Sequence, residues 1–352
     1  MTLKNILSIL SFLFIAVACS MEDDNLPSSD TKASAEAQEV LVNVNLAMNG
    51  ISTKVAASDD GDVAPAGNES VVSSAVVALV NAEGNIMMIR NADGQINSDN
   101  TLKDVKFLTK VADGVKAIAI VNTEKANDYL NCKTLEDLNS VLETTANQEF
   151  LVKVGEKNDI FKDYDGGKTS TKDLSTLNIV IPVTQLAARI DLMGIKYVKE
   201  NKESEINSVK IISAKLINVN NNSHVYNTEN KTMSGSEAAN TQSPSFPKEL
   251  NRDLVEGVWT GNNPDDKVGN PLYTDYSYTN TTESPVKMQI TYSVNNEEAK
   301  TVDVTIDNGS VKAGNLYRLY IGMKVKNNEI KTEVVCYTKD WIKENINIEI
   351  KD

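Results

Sequence analysis

The sequence predicts an all-β (mainly) protein: two tandem β-sandwich domains behind an apolar leader and a short flexible tether. Three observations carry this. Short runs of alternating apolar and polar residues recur from residue 40 to the end of the chain. Asn, Asp and Gly clusters separate them at intervals of roughly ten residues, the spacing of turns in sandwich folds. Only one stretch keeps helical spacing over more than two turns.

Residues 40–48 (VLVNVNLAM) place Val40, Val42, Val44 and Leu46 on one strand face. Residues 74–80 and 85–89 flank Asn81-Ala82-Glu83-Gly84 and predict a hairpin, and 114–122 (GVKAIAIVN) is a further strand. A helix is expected over 133–144, with Thr134 as cap and Leu135, Leu138, Val141 and Leu142 on one side. The apolar run 177–183 is expected to stop near Pro182 and resume at 185–193. Residues 209–219 read as a strand and the Asn/Ser/Thr-rich 220–247 as a long loop. Alternation returns at 286–294, 302–306, 317–325 and 330–337, with turns at Asp307-Asn308-Gly309 and Asn327-Asn328. The tail NINIEIKD carries Ile346, Ile348 and Ile350 on one face. A boundary near Thr184 divides residues 38–183 from 184–352.

The leader has its own chemistry. Lys4 precedes an apolar run, 6–18, too short to span a bilayer as a helix but of signal-peptide size. It ends in Ala16-Val17-Ala18-Cys19, small residues before a thiol, as lipoprotein processing requires. Residues 1–18 are therefore expected to be a signal peptide and Cys19 the lipidated residue. An ordinary signal peptide or a core cysteine is the alternative. Acyl chains on one residue anchor a protein because each buried methylene adds about 0.8 kcal/mol. Residues 19–37 open on the acidic Glu22-Asp23-Asp24 and have little to bury, so they read as a disordered tether.

A formal net charge of −14 argues against a nucleic-acid partner, whose phosphates need a basic surface. Cys132 and Cys336 read as buried free thiols. His224, the one histidine, reads as a solvated loop residue. Asp59-Asp60-Gly61-Asp62 and Asp163-Tyr164-Asp165 lack the spacing of a Ca²⁺ loop and read as solvated turns. Arg189 is expected to be a surface or interdomain ion-pair partner, and Trp259 and Trp341 packing anchors. Tyr273, Tyr276 and Tyr278 are expected in an exposed loop. No phosphate loop, zinc motif or nucleophile elbow occurs, so no enzyme, catalytic residue, metal site or cofactor is expected.

Several of these pieces together resemble the fimbrillins, the type V pilins of Bacteroidales. They are the leader ending at Cys19 and the first strand running into Ser52-Thr53-Lys54-Val55-Ala56, where the family often has Thr-Arg-Ala. They continue with the strand ending in Asn122, the segment 182–191 (PVTQLAARID), the segment 314–321 (GNLYRLYI) and Trp341. The acidic run after Cys19 also looks like the signal that sends Bacteroidota lipoproteins to the outer face of the outer membrane.

The resemblance implies transthyretin-like sandwiches and a structural pilus subunit that supports adhesion. The lipid on Cys19 would bring the precursor to the outer membrane, and a maturation protease would cut after a basic residue. That residue would be Lys54, followed by the loop 58–70; Arg90 and Lys103 are less suited, since regular structure is expected around them. The removable first strand would be Val40, Val42, Val44 and Leu46, and the candidate donor strand Ile346, Ile348 and Ile350. Partners would be other copies or related subunits in a head-to-tail polymer, with surface ligands on host or bacterial cells. Lysine in place of arginine puts an Arg-specific protease in doubt. The alternatives are a pilus anchor or tip adhesin of the same fold, and a surface glycan-binding lipoprotein.

Overall fold

In the computed structural model the described residues are 38–48, 69, 71–92, 105–144, 150–165, 174–200, 205–237, 242–259, 270–280, 283–307, 310–326 and 329–340. The first elements are β1 (Glu39–Met48), β2 (Ala75–Val80), β3 (Ile86–Asn91), β4 (Val105–Lys110) and β5 (Lys116–Val121). Next come α1 (Ala126–Leu130), α2 (Leu135–Ser140), β6 (Leu142–Glu143), β7 (Lys153–Lys157), β8 (Ser175–Gln185), β9 (Ala188–Lys199) and β10 (Val209–Ile217). Short strands follow: β11 (Val219–Asn220), β12 (Ser223–His224), β13 (Ser236–Glu237), β14 (Gln242–Ser243), β15 (Lys248–Asp253) and β16 (Val255–Glu256). The last are β17 (Tyr273–Ser277), β18 (Lys287–Val294), β19 (Lys300–Thr305), β20 (Asn315–Lys326) and β21 (Glu329–Asp340). The protein is mostly β, as the alternation predicts.

The first half builds a seven-stranded sheet in the order β3-β2-β5-β7-β8-β1-β4. Its pairs are antiparallel except β1 with β8, which run parallel. The two edges of the sheet come together: Arg90 of β3 stacks 5.5 Å from the ring centre of Phe107 on β4. Its inner face encloses one core, including Val40, Val77, Phe107, Ala119 and Ile181. β2 and β5 are buried on both faces, since Val76, Ala78, Ile118 and Ile120 also pack on α1, α2 and Tyr278. That explains why AVVALV and KAIAIV read as unbroken apolar runs whereas β1 alternates.

Strands after Gln185 form other sheets, with the buried pair Leu186-Ala187 at the crossing. β16-β9-β20-β21, with β17 also on β9, faces β15-β10-β18-β19. Ile190, Leu192, Leu319 and Met323 meet Ile211, Leu216, Met288 and Ile290 in the core between them.

Three expectations need correction. β8 does not stop at Pro182; it runs to Gln185. Pro182 lies just beyond the last β7 pair, Gly155 with Val183, so β7 does not need its missing N–H. The helix over 133–144 ends at Ser140, because Val141 turns extended and Leu142 and Glu143 pair with His224 and Ser223. Thr134 does cap it, accepting from Asp137 N at 3.1 Å. The described residues of 220–247 are not a structureless loop: β11 to β14 stitch them down, and Val225, Tyr226 and Met233 are buried.

At Gly155 the backbone of β7 packs tightly on β8. A Cβ there would lie 1.9 Å from the carbonyl oxygen of Pro182. Gly155→Ala is expected to lower unfolding free energy by about 3 kcal/mol, read as a reduced urea midpoint with an unchanged slope.

Candidate functional site

β1 is an interior strand although it is the first element described. It pairs with β8 from Val40–Ser175 to Met48–Val183 and with β4 from Glu39–Lys110 to Val44–Val105. Val40, Val42 and Val44 are 0% exposed and Leu46 2%. They meet Phe107 and Val105 of β4 and Ile179, Ile181 and Val183 of β8. Burial of these four side chains contributes roughly 6–12 kcal/mol on side-chain transfer values, an upper bound because denatured chains are partly collapsed. On the outer face Asn43 Nδ2 donates to Asn178 Oδ1 at 2.9 Å. Without β1, the strands β8 and β4 would flank an apolar groove with unpaired backbone on both sides.

The chain returns to the sheet beside the point where β1 leaves it. Met48 pairs with Val183, and Gln185 Nε2 donates to the backbone oxygen of Glu69 at 2.8 Å. Met48 and Glu69, the described residues on either side of 49–68, are therefore both held at the Gln185 end of β8.

Glu69 is 2% exposed. Its Oε2 accepts from Arg189 Nη1 at 3.1 Å and its Oε1 from the Tyr276 hydroxyl at 2.6 Å. Arg189 Nε donates to Asp191 Oδ1 at 2.9 Å, and Thr274 Oγ1 donates to the same oxygen at 2.7 Å. Burial opposes the Arg189 charge, but Asp191 and Glu69 more than compensate and raise its pKa. Burial, with the neighbouring Glu69 carboxylate, pushes the Tyr276 hydroxyl up as well. Arg189 is thus an ion-pair partner as expected, but a buried one rather than a surface one.

Residues 71–74 are held too. Lys153 Nζ donates to the oxygens of Val71 and Leu151, each at 3.0 Å, and Asn122 Nδ2 donates to the same two at 2.7 and 3.2 Å. Asn122 Oδ1 accepts from Ser73 N at 2.8 Å and Ser74 N at 3.4 Å. Asn122 can do this because it sits at φ +60°, which turns its side chain back at the end of β5. Lys153 is fully buried, and burial pushes its pKa down to about 7 against the pull of Glu69. A neutral amine keeps two N–H groups, enough for the two carbonyls.

Other expectations resolve as follows. Cys19, Lys54, Asp59 to Asp62, Lys103, Trp341 and Ile346, Ile348 and Ile350 lie outside the described residues. Cys132 is a buried free thiol, as expected; Cys336 lies on β21 opposite Leu319. His224 is not in a loop but half-buried in β12, paired with Leu142. The tyrosines are not exposed: Tyr273 and Tyr276 are on β17, and Tyr273 and Tyr278 are buried. Trp259 is a packing anchor, donating from Nε1 to Ile321 O at 3.0 Å with Lys196 Nζ 4.1 Å over its ring. Among the described residues no group of three His, Cys, Asp or Glu side chains could hold a metal. Glu69 and Lys153 went unnoticed in the sequence, where each is one charged residue among many.

No family model matches the chain, and no curated protein is significantly similar to it in sequence. Solved structures do match. A provisionally assigned cell adhesion protein from Parabacteroides distasonis superposes with a TM-score of 0.63 at 15% identity, covering 87% of this chain and 97% of that one. A fimbrilin (FimA) from Porphyromonas gingivalis superposes with a TM-score of 0.52 at 12% identity, covering 86% and 98%. The chain has the fimbrillin fold. A second provisionally assigned cell adhesion protein, from Bacteroides eggerthii, matches with a TM-score of 0.55 at 13% identity, covering 87% and 97%.

Lys153 makes a pH prediction. Its folded pKa of about 7 lies below the ordinary 10.5. Between those values the unfolded chain holds a proton the folded chain lacks, so stability rises with pH across that window. Below about pH 7 both states are protonated and the rise is absent. Lys153→Met leaves both carbonyls with Asn122 as donor, and its denaturation midpoint should lack the increase that the parent shows between pH 6.5 and 9.5.

Proposed function

We propose that the chain is a structural pilus subunit, exported as a lipoprotein acylated at Cys19, cut after Lys54 and polymerised by donor-strand exchange. Its two tandem domains would meet near residue 184. What supports this is the position of β1. One apolar face of an interior strand fills the core, and Met48 and Glu69, on either side of residues 49–68, are both held at the Gln185 end of β8. A cut in 49–68 would free a whole strand and leave the rest of the chain continuous. The groove so opened would take an extended segment from another copy, with backbone hydrogen bonds giving affinity and alternate side chains filling the Val40, Val42, Val44 and Leu46 positions. Ile346, Ile348 and Ile350 have that period. Head-to-tail joining without ring closure yields an open fibre at the cell surface.

A pilus anchor that keeps its lipid and first strand is the second reading, favoured by lysine where the fimbrillins often carry arginine. A glycan-binding lipoprotein has less support, because Trp259 lies under Lys196 and against Gly194, where a Cβ would be 2.8 Å from the indole.

Purified protein cut after Lys54 should form ladders or fibres by gel and electron microscopy, while uncut protein stays monomeric. Deleting residues 345–352 should block assembly of the cut form. Polymers formed by the deleted chain would show that the tail is not the donor; cut protein that stays monomeric would count against strand exchange itself.

A further inference from the structure

The anchoring of residues 69–74 has a consequence separate from assembly. Six side chains hold this short stretch: Glu69 itself, Asn122 at the end of β5, Lys153 on β7, Gln185 at the end of β8, Arg189 on β9 and Tyr276 on β17. None of the anchors belongs to β1. The Glu69–Arg189 pair is a buried, charge-assisted bond, the strong kind, between side chains each 2% exposed. Val72, between the anchored residues, is 4% exposed and packs in the core of the seven-stranded sheet. Arg189 and Tyr276 also tie this stretch to the sheet that follows β8.

We propose that Glu69 and residues 71–74 are a latch that holds the chain on the body through polar anchors outside β1, with Glu69 as its key residue. The latch sets the limit of N-terminal trimming: proteolysis proceeds into 49–68 and stops at Glu69. In a cut subunit the new N-terminal arm would then stay fixed at the end of β8, beside the mouth of the groove. That last consequence rests on the strand-exchange reading; the latch itself does not.

The test uses the full chain and reads no assembly. Folded protein is digested briefly with subtilisin, and the N-termini of resistant fragments are mapped by mass spectrometry. Parent fragments should begin at or before Glu69. In Glu69→Gln, which removes the charge paired with Arg189, start points should advance into residues 70–75. Amide exchange should quicken at least tenfold at Ser73 and Ser74 and stay unchanged in β2. Tyr276→Phe, which removes one bond to Glu69, should move both readouts the same way by less, and it decides the matter if Glu69→Gln does not fold. Parent fragments starting beyond Glu69 would overturn the latch. So would unchanged start points and exchange rates in the variants. Failure to form fibres leaves these readouts untouched, so the two ideas fail separately.

Discussion

The seven-stranded sheet depends on a strand delivered from the far end of the chain. β1 lies between β8 and β4, and its four inward side chains are almost wholly removed from water. The roughly 6–12 kcal/mol attached to that burial is of the same order as the whole net stability of a typical domain, about 5–15 kcal/mol. A body that lost β1 and gained nothing would sit close to its folding threshold. It would also expose two strand edges, each a template for pairing with another chain. Its neighbours β8 and β4 demand some extended apolar segment in that slot.

The charged groups near residue 69 complement this arrangement. Buried ions are costly unless paired, and removing one partner of such a pair typically costs about 3–5 kcal/mol. Here Glu69 and Asp191 both accept from Arg189, with Tyr276 donating to Glu69 and Thr274 to Asp191 Oδ1, while Asp191 Oδ2 is buried with no hydrogen-bond donor among the described residues. Lys153 meets the same problem differently, shedding its charge near neutral pH while donating to two carbonyls. Glu143 is a third solution. Burial holds it above the usual carboxylate range although Thr123 Oγ1 and Tyr129 OH donate to it at 2.6 and 2.9 Å. β1 is held by apolar packing and backbone pairing, whereas Glu69 and residues 71–74 are held by specific side-chain bonds.

Much of this was legible in the sequence wherever one face of a strand meets solvent. Alternation located β1, β18 and β20, and the Asn81–Gly84 turn located the β2–β3 hairpin, with Gly84 at φ +85° as such a turn requires. Legibility failed where tertiary pairing overrode local preference. Pro182 reads as a strand stop, yet β7 has already left its side of β8. Leu142 keeps helical spacing, yet it pairs with His224. Residues 220–247 look like a loop by composition, and only the partners of β11 to β14 give them order. Glu69 was invisible because its role depends on Arg189, which lies 120 residues away along the chain. No local pattern marks such a pair.

The most direct measurement is the N-terminus of the mature protein recovered from the cell surface, by sequencing or intact mass. Exchange of the first strand predicts a chain that begins at Val55 and lacks residues 40–48. A mature chain that still begins at the acylated Cys19 and carries those residues in assembled fibres would contradict it.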